Sequence, residues 1–221
     1  MKKIVAFVPI KLNNERCPGK NTWRFSDGTP LMAMIQRALN QCGEISEKYV
    51  FCSDPAVCEY LEPGFTFLQR EKELDGPQAT SQDIISSFVQ KVDADIYVLS
   101  HATAPFVRPD RIACCVEKVS REGYDSAFTA EKIQRLLWSD GKPLNFDAAC
   151  VPRTQDLPPI YSELSAAYVF EKDVFLKTGR RIGEHPYICV CDGVECLDID
   201  YPDDLVIADA IYRKKQEADK A

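Results

Sequence analysis

A polar loop, KLNNERCPGKN at residues 11–21, carries the first side chains that could do chemistry. It contains Lys11, Arg16 and Lys20 and directly follows a compact apolar segment. Cationic side chains and loop N–H groups are the donors that hold phosphate oxygens. A GxxxxGK[ST] phosphate-binding loop would need glycine at Asn14 and serine or threonine at Asn21, so this is not one. The residue types indicate an anion site, with a basic surface loop as the alternative.

Two acidic residues, Asp198 and Asp200, end the apolar segment in CLDIDYPDD. In a strand, residues two apart point to the same side, so the two carboxylates are expected to converge while Leu197 and Ile199 face the core. Adjacent carboxylates repel unless a cation lies between them, and Mg²⁺ prefers carboxylate and phosphate oxygens. The spacing predicts a Mg²⁺ site, and the alternative is a solvated, acidic strand end.

Two further features place polar side chains where a ligand could contact them. The segment RTQDLPPIYSE (153–163) holds Arg153 and Gln155 between prolines, a composition that is also typical of a linker. His101 ends the apolar segment DIYVLSH and is a candidate for ligand contact or proton transfer. A lone histidine is more commonly a hydrogen-bonded structural residue, and that alternative is retained for proton transfer.

The elements that must position these residues alternate between strand and helix. The predicted strands are KKIVAFVPI (2–10), KYVFCSD (48–54), FTFLQR (65–70), DIYVLSH (95–101), DSAFTAEK (125–132), SAAYVFEK (165–172), YICVC (187–191) and VECLDID (194–200). The predicted helices are 31–42, 55–61, 82–92 with Thr80 or Ser81 as its cap, 109–119, 173–178 and 203–217. This alternation predicts an α/β fold with a mostly parallel sheet and helices on both faces. Ligands bind beyond the carboxyl ends of the strands in such sheets.

Residues 133–164 depart from this alternation. They contain four prolines and show no long helical period. An irregular segment of this length is commonly functional, a lid or a dimer contact. We therefore predict a single domain over residues 1–221, with 133–164 as an extended excursion at a dimer interface or at the site of a second substrate.

Composition and charge restrict the possible partners and location. The chain has 27 basic and 34 acidic residues, a net charge of −7 and no basic run, which argues against a nucleic-acid or membrane-surface partner. Its first residues make a poor signal peptide, since a lysine interrupts the apolar run, and no segment is long enough for a transmembrane helix. The ten cysteines include no CxxC pair, which favours reduced, packed thiols and a cytoplasmic location.

Taken in order, these segments resemble the acylneuraminate cytidylyltransferase family, which includes the CMP-sialic acid and CMP-Kdo synthetases. The matching segments span nearly the whole chain: VPIKLNNERCPGKN (8–21), DGTPL (27–31), CSD (52–54), Arg70, LSHATAPFVRP (99–109), RTQDLPP (153–159) and DID (198–200). The resemblance implies a Rossmann-like nucleotidyltransferase fold and a homodimer formed through the extended segment. It also implies a reaction in which CTP is coupled to a small anionic acceptor with Mg²⁺ as cofactor and pyrophosphate as product.

The resemblance also assigns roles to residues at the matching positions. Lys20, Asp198 and Asp200 would be catalytic, with the two aspartates as the metal ligands. The nucleotide-binding residues would be Lys11, Asn13, Arg16, Lys20, Asn21, Arg70, Thr80 and Ser81. The acceptor-binding residues would be His101, Thr103, Arg153 and Gln155. An acceptor oxygen would attack the α-phosphorus of CTP, and catalysis would rest on positioning and electrostatics.

Several positions depart from the family pattern. Asn14-Glu15-Arg16 stands where S-K-G is common, so Arg16 is expected to replace the loop lysine, and His101 replaces a glutamine that contacts the sugar. Residues 161–165 contain no basic side chain where sialic-acid enzymes carry an arginine for the sugar carboxylate, which argues against sialic acid and Kdo themselves. For the acceptor, three alternatives stay open: another nonulosonic acid, a phosphonate or a phosphorylated alcohol. A nucleotide with a different base also stays open, as does a catalytically idle homologue that only binds a nucleotide.

Overall fold

The computed structural model describes residues 2–218, so Met1 and residues 219–221 of the predicted domain lie outside the described residues. The strands are β1 (Ile4–Ile10), β2 (Glu47–Cys52), β3 (Thr66–Gln69), β4 (Ile96–Leu99), β5 (Ser126–Ile133), β6 (Trp138–Ser139), β7 (Lys142–Pro143), β8 (Ile160–Glu171) and β9 (Pro186–Cys191). The α-helices are α1 (Leu31–Asn40), α2 (Ser81–Lys91), α3 (Pro109–Arg121), α4 (Lys172–Thr178) and α5 (Pro202–Ala218). The predicted α/β alternation is confirmed.

Seven of these strands form one sheet in the order β3-β2-β1-β4-β8-β5-β9. All neighbouring pairs are parallel except those of β8, which runs antiparallel to β4 and β5. The carboxyl ends of β1, β2, β3 and β4 therefore meet at one edge of the sheet, and this is the edge where ligands of such folds bind.

The helices cover both faces of the sheet, as the sequence predicts. On one face, α1 and α3 pack through residues such as Met32, Ile35 and Ile112. On the other face, α2 and α4 pack through Phe88 and Phe175, and the Phe88 ring stacks on Phe7 at 4.0 Å between centroids. Because successive strand residues point to opposite faces, β1 contributes to both layers of the core. None of the helices in the described part of the chain is both long and apolar enough to cross a membrane.

The predicted strand at 194–200 is wrong. Gly193–Cys196 form a 3₁₀ turn, and residues 197–200 belong to no strand. The buried Glu195 explains the turn, since its carboxylate accepts bonds from Asp192 N–H and from the Arg111 guanidinium, both at 3.2 Å. The predicted alternation of sides still holds, because Ile199 is fully buried and donates its N–H to Thr103 O at 2.8 Å.

Three other boundaries differ from the prediction. Residues 55–60 form a 3₁₀ turn and no α-helix. The excursion contains a short hairpin of β6 and β7, and β8 begins at Ile160, five residues before the predicted strand. Residues 160–163 pair with Ala130–Ile133, which lead out from the buried Ala130, and the mostly exposed side chains of 160–163 form no apolar run. Because these residues form no apolar run, hydrophobic periodicity could not reveal this part of the strand.

A bulge interrupts β8 at Leu164–Ala167, and we call it the β8 bulge. Its neighbour β5 pairs Phe128 with Tyr168 but Ala130 with Glu163, so extra residues stand on the β8 side. The hydroxyl of Thr129 fills the gap, bonding to the carbonyls of Leu164 and Ala167 and accepting the Ala167 N–H at 3.0 Å. Bulges of this kind redirect side chains at sheet ends. Here the bulge turns Ser165 toward the carboxyl end of β4.

Candidate active site

Lys20 connects the loop after β1 to the acidic segment before α5. Gly19 adopts φ 73°, a conformation that favours glycine, and this lets the chain enter the 3₁₀ turn Lys20–Thr22. The buried Lys20 Nζ donates to Ile199 O at 2.6 Å and lies 3.3 Å from Asp200 Oδ1. The fold thus brings the predicted basic loop and the predicted aspartates together, although they lie 180 positions apart in the chain.

Arg16 forms a second cationic contact with Asp200. Its two terminal nitrogens lie 2.8 and 2.9 Å from the two carboxylate oxygens, a bidentate pair. Hydrogen bonding to Tyr201 and the negative charge of Asp200 raise the pKa of Arg16 above its usual value. Arg16 and Lys20 therefore place two positive charges around one carboxylate, a local cationic region in an acidic protein.

Asp198 presents a carboxylate oxygen that lacks a partner. Its Oδ2 accepts a hydrogen bond from Ser165 Oγ at 3.2 Å. Its Oδ1 is buried and has no hydrogen-bond partner among the described residues. A buried carboxylate oxygen without a donor is unfavourable, so a cation is the group that suits this position.

The carboxylates of Asp198 and Asp200 are donors of the type that suits Mg²⁺, with both Asp200 oxygens in contact with Arg16 or Lys20 and Asp198 Oδ1 without a partner among the described residues. Within residues 2–218 there is no group of three or more histidine, cysteine or acidic side chains arranged to hold a metal ion. Two carboxylates together with oxygens from a phosphate ligand are the usual Mg²⁺ environment. The orphaned Asp198 Oδ1 is the feature that such an ion would satisfy.

Two neighbouring cavities lie beside the loop after β1. One, of about 420 Å³, has a charged lining of Lys11, Asn14, Glu15, Arg16, Cys17 and Lys20, with Gly76, Pro77 and Ala79 opposite. The other, of about 290 Å³, is lined by Leu12, Asn13, Ser53, Asp54, Pro55, Lys72 and Asp75. The first has the charge for phosphates, and the second lies beyond the ends of β1 and β2.

Asn21 holds the loop in shape. Its Nδ2 donates to Lys11 O at 2.8 Å and to Asn14 Oδ1 at 3.4 Å, across the base of the loop. The Lys11 ammonium lies 3.9 Å from the exposed Glu15, an ion pair that a stronger anion could replace. Asn21 therefore positions Lys11 and the other loop donors, and its predicted contact with a nucleotide stays a prediction.

Arg70 is fixed by protein contacts and lines neither cavity. Its side chain is only 2% exposed, donates to Ile10 O at 3.1 Å and pairs with Asp75, which also binds the Ser53 hydroxyl. Because Asp75 and Ser53 belong to the lining of the smaller cavity, Arg70 shapes that cavity from behind. Its Nε is buried without a hydrogen-bond partner among the described residues, and its predicted contact with a nucleotide stays a prediction.

Thr80 and Ser81 begin α2, and their hydroxyls have partners in the protein. Thr80 caps the helix: its Oγ1 accepts the Asp83 N–H at 3.2 Å and also bonds to the Asp83 carboxylate at 2.7 Å. Ser81 Oγ accepts a bond from Arg181 at 3.1 Å. The predicted cap is confirmed at Thr80, and the free N–H groups of this helix end are its remaining donors.

His101 and Thr103 lie after β4, next to the β8 bulge. The His101 N–H and Nδ1 both lie within 3.1 Å of Ser165 O, so the imidazole carries its proton on Nδ1 and leaves Nε2 as an acceptor. Burial lowers the pKa of His101, and the nearby charges of Arg181 and Lys20 lower it further. His101 is therefore neutral at pH 7, and Thr103 supports Ile199 through its carbonyl.

Arg153 and Gln155 are not brought to this cluster within one chain. The exposed Arg153 pairs with Asp156 at 2.8 Å, and the Gln155 carbonyl accepts a bond from Gln134 at 3.3 Å. These contacts stay within or beside the excursion. The assignment of both residues to acceptor binding stays a prediction.

Sequence reasoning missed four side chains around His101. Ser165 donates a hydrogen bond to Asp198. The other three, Tyr168, Glu163 and Arg181, contact one another beside His101. Arg181 reaches Ser81 across 100 positions of sequence, so no local spacing could reveal the contact. Of these four residues, only Ser165 had a local sequence signal, because it directly precedes the apolar run of β8.

Comparisons with known proteins give one family match. A family model described as cytidylyltransferase matches residues 5–201. The chain is 24% identical to the N-acylneuraminate cytidylyltransferase of Streptococcus agalactiae serotype V over 217 residues, which is 92% of this chain and 52% of that protein. It is also 24% identical to N-acylneuraminate cytidylyltransferase A of Danio rerio, covering 78% of this chain and 42% of that protein. The chain spans about half the length of the curated relatives it matches.

Solved structures share the fold. A CMP:2-keto-3-deoxy-manno-octonic acid synthetase complexed with CTP superposes with a TM-score of 0.70 at 17% identity, covering 96% of this chain and 99% of that one. The 4-diphosphocytidyl-2C-methyl-D-erythritol synthase of Anaerococcus prevotii gives 0.66 at 10% identity, covering 96% of each chain. At these identities the likeness concerns the Rossmann-like α/β fold alone, and it confirms the predicted fold class.

Proposed function

Because the chain belongs to the cytidylyltransferase family, we propose that it couples CTP to a small acidic sugar, giving a CMP-sugar and pyrophosphate. The observation that carries this proposal is the contact of Lys20 Nζ with Asp200, beside the orphaned carboxylate oxygen of Asp198. A basic loop and two aspartates at the carboxyl edge of a parallel sheet are what a magnesium triphosphate requires.

The two cavities suggest how CTP would lie. The triphosphate would occupy the larger cavity, whose lining carries Lys11, Arg16 and Lys20. The nucleoside would extend to the smaller cavity, where Asn13, Ser53 and Asp54 offer polar groups. Arg16 would supply the charge expected of the loop lysine, since it already forms a bidentate contact in this region.

Mg²⁺ is the cofactor that we propose, held by Asp198 and Asp200 together with oxygens of the nucleotide. When bound, the ion would neutralise negative charge on the phosphoryl groups during the transfer. Asp198 is held by Ser165, and Asp200 by Lys20 and Arg16, so the carboxylates keep their positions through the protein.

The proposed reaction is a displacement at the α-phosphorus of CTP. An acceptor hydroxyl oxygen forms a bond to that phosphorus and its proton passes to the solvent, while the bond from the α-phosphorus to the oxygen that bridges it to the β-phosphate breaks and pyrophosphate leaves. Lys20 neutralises charge on the leaving group, and the free Nε2 of His101 can accept a hydrogen bond from the acceptor. Positioning and fixed charges would account for most of the rate.

A pyrophosphate-release assay tests this proposal. The protein is incubated with Mg²⁺, each of the four nucleoside triphosphates and a panel of sugar acids, phosphonates and phosphorylated alcohols. Release that requires both CTP and a sugar acid supports the proposal. Release with another nucleotide or only with a phosphorylated alcohol contradicts it, and binding of CTP without turnover across the panel indicates an idle homologue.

We also propose a cytoplasmic homodimer. The excursion exposes several large apolar side chains, namely Leu136, Trp138, Leu144 and Val151, which a second copy would cover. All ten cysteines are free within residues 2–218, which suits a reducing compartment. Light scattering of the wild type and of a Trp138→Ser, Leu144→Ser variant tests the dimer: a monomeric wild type contradicts it.

A further inference from the structure

Arg181 lies in the loop between α4 and β9, beside the candidate active site. The loop begins at Gly179, whose φ of 67° ends α4, and it returns the chain over the sheet. The Arg181 guanidinium lies 3.7 Å from the centroid of the Tyr168 ring, and only 24% of the side chain is exposed. A planar cation stacked on an aromatic ring is held in one orientation.

Arg181 lies between the start of α2, next to the larger cavity, and the side chains around His101. Both cavities lie beside loops that follow β1, β2 and β3, whereas Tyr168 belongs to β8, on the other side of β4. The Tyr168 ring lies 6.4 Å from His101, which contacts Ser165, the partner of Asp198. Arg181 thus reaches from Ser81, beside the cavity proposed for the triphosphate, to Tyr168, on the side of His101 and Asp198.

Arg181 already binds a carboxylate at this position. Among the described residues, its terminal nitrogens donate to Ser81 Oγ and to Glu163 Oε2, each at 3.1 Å. A guanidinium has five N–H donors, so these two bonds leave donors for a further anion. The Glu163 side chain is 46% exposed and comes from the outer part of β8, where a competing carboxylate could replace it.

We propose that Arg181 binds the carboxylate of the acceptor sugar and thereby selects sugar acids over neutral sugars. This inference rests on the proposed function and specifies its acceptor. Ser81 and Tyr168 hold the guanidinium, and Glu163 occupies it until the acceptor binds.

The test compares acids with their methyl esters in the full chain. The probes are N-acetylneuraminic acid, 2-keto-3-deoxy-manno-octonic acid and the methyl ester of each, with CTP saturating and pyrophosphate as the readout. For Arg181→Met we expect kcat/KM for the acid to fall by about 100-fold, the size of a lost charged pair, while the ester is little affected. The KM for CTP should stay unchanged, and Arg181→Lys should recover part of the loss.

Glu163→Gln is the matched control, because it breaks the same ion pair and keeps the arginine. If Arg181 binds the acceptor, this variant has an acid KM no higher than that of the wild type. If the pair of Arg181 and Glu163 only holds the loop after α4 in place, Glu163→Gln and Arg181→Met should lose activity to the same extent. Acid and ester would then be equally affected, and the inference is overturned. A wild type inactive with these probes and with every other sugar acid of the pyrophosphate-release panel contradicts the proposed function itself, whereas an active Arg181→Met that still prefers the acid contradicts only the role of Arg181.

Discussion

Replacing Asp198 with asparagine should change stability and activity in opposite directions. The substitution keeps the shape of the side chain and its contact with Ser165 but removes the charge from a buried oxygen that has no donor among the described residues. An unsatisfied buried polar group costs about 1–3 kcal/mol. Part of that cost disappears with the charge, so we expect the free energy of unfolding without ligands to stay the same or rise by about 1 kcal/mol.

The same substitution should remove most of the activity. Losing one fixed electrostatic group from a catalytic site typically lowers kcat by about 10²–10³-fold. Urea unfolding without Mg²⁺ and CTP measures the stability, and pyrophosphate release measures the activity. Addition of Mg²⁺ and CTP together should raise the melting temperature of the wild type, because ligands that bind only the folded state stabilise it, and should raise that of the variant much less.

Asp203→Asn is the control, since Asp203 is an exposed carboxylate in the first turn of α5, close to the aspartates in sequence. It should leave activity and the response to Mg²⁺ with CTP unchanged. The reasoning is refuted if Asp198→Asn keeps activity within about threefold of wild type, against the loss expected for an electrostatic group. Marked destabilisation would also refute it, because the carboxylate would then be structural.

Three further predictions concern neighbouring residues. Lys20→Met should lower kcat/KM for CTP by about 100-fold in steady-state kinetics, since it removes a cation from the phosphate cavity; unchanged kinetics would contradict the phosphate role. The pKa of His101 is lower in the folded protein than in the unfolded chain. As the pH drops below about 6.5, the unfolded chain therefore takes up a proton before the folded protein does, and the free energy of unfolding falls. Urea titrations should show that His101→Gln loses this pH dependence. Arg70→Met should cost about 3 kcal/mol of unfolding free energy, because it leaves the largely buried Asp75 without its cation, and an unchanged urea midpoint would exclude that role.

The sheet and most helices could be predicted because their residues repeat with a clear period. The buried strand β1, the capped helix α2 and the helix begun by Pro109 all carry local signals that the fold obeys. The outer part of β8 carries none, since its pairing with β5 lies beyond the core. The turn at Gly193–Cys196 depends on a buried contact between Glu195 and the distant Arg111, which periodicity cannot reveal.

The candidate site also combines features that the local sequence could predict with features that it could not. The sequence predicted that Lys20, Asp198 and Asp200 would share one edge of the sheet, because each lies at the boundary of an apolar segment. It did not predict that Arg16 would pair with Asp200, nor that Arg181 would reach Tyr168, because these contacts join remote parts of the chain. The resemblance assigned Arg70 to the nucleotide; its terminal nitrogen contacts Asp75 and Ile10, its buried Nε has no partner among the described residues, and the assignment stays a prediction.

The strand β8 joins the excursion to the candidate active site through the β8 bulge. The strand begins at Ile160, within the excursion. Its bulge places Ser165 against Asp198 and His101, and its inner end lies between β4 and β5. Ile160 and Ser165 belong to the same strand, so a displacement of the excursion would be transmitted to Ser165 and to its partners Asp198 and His101. If a second copy covers the exposed apolar side chains of the excursion, as proposed, substitutions there should alter turnover even when they leave both cavities intact.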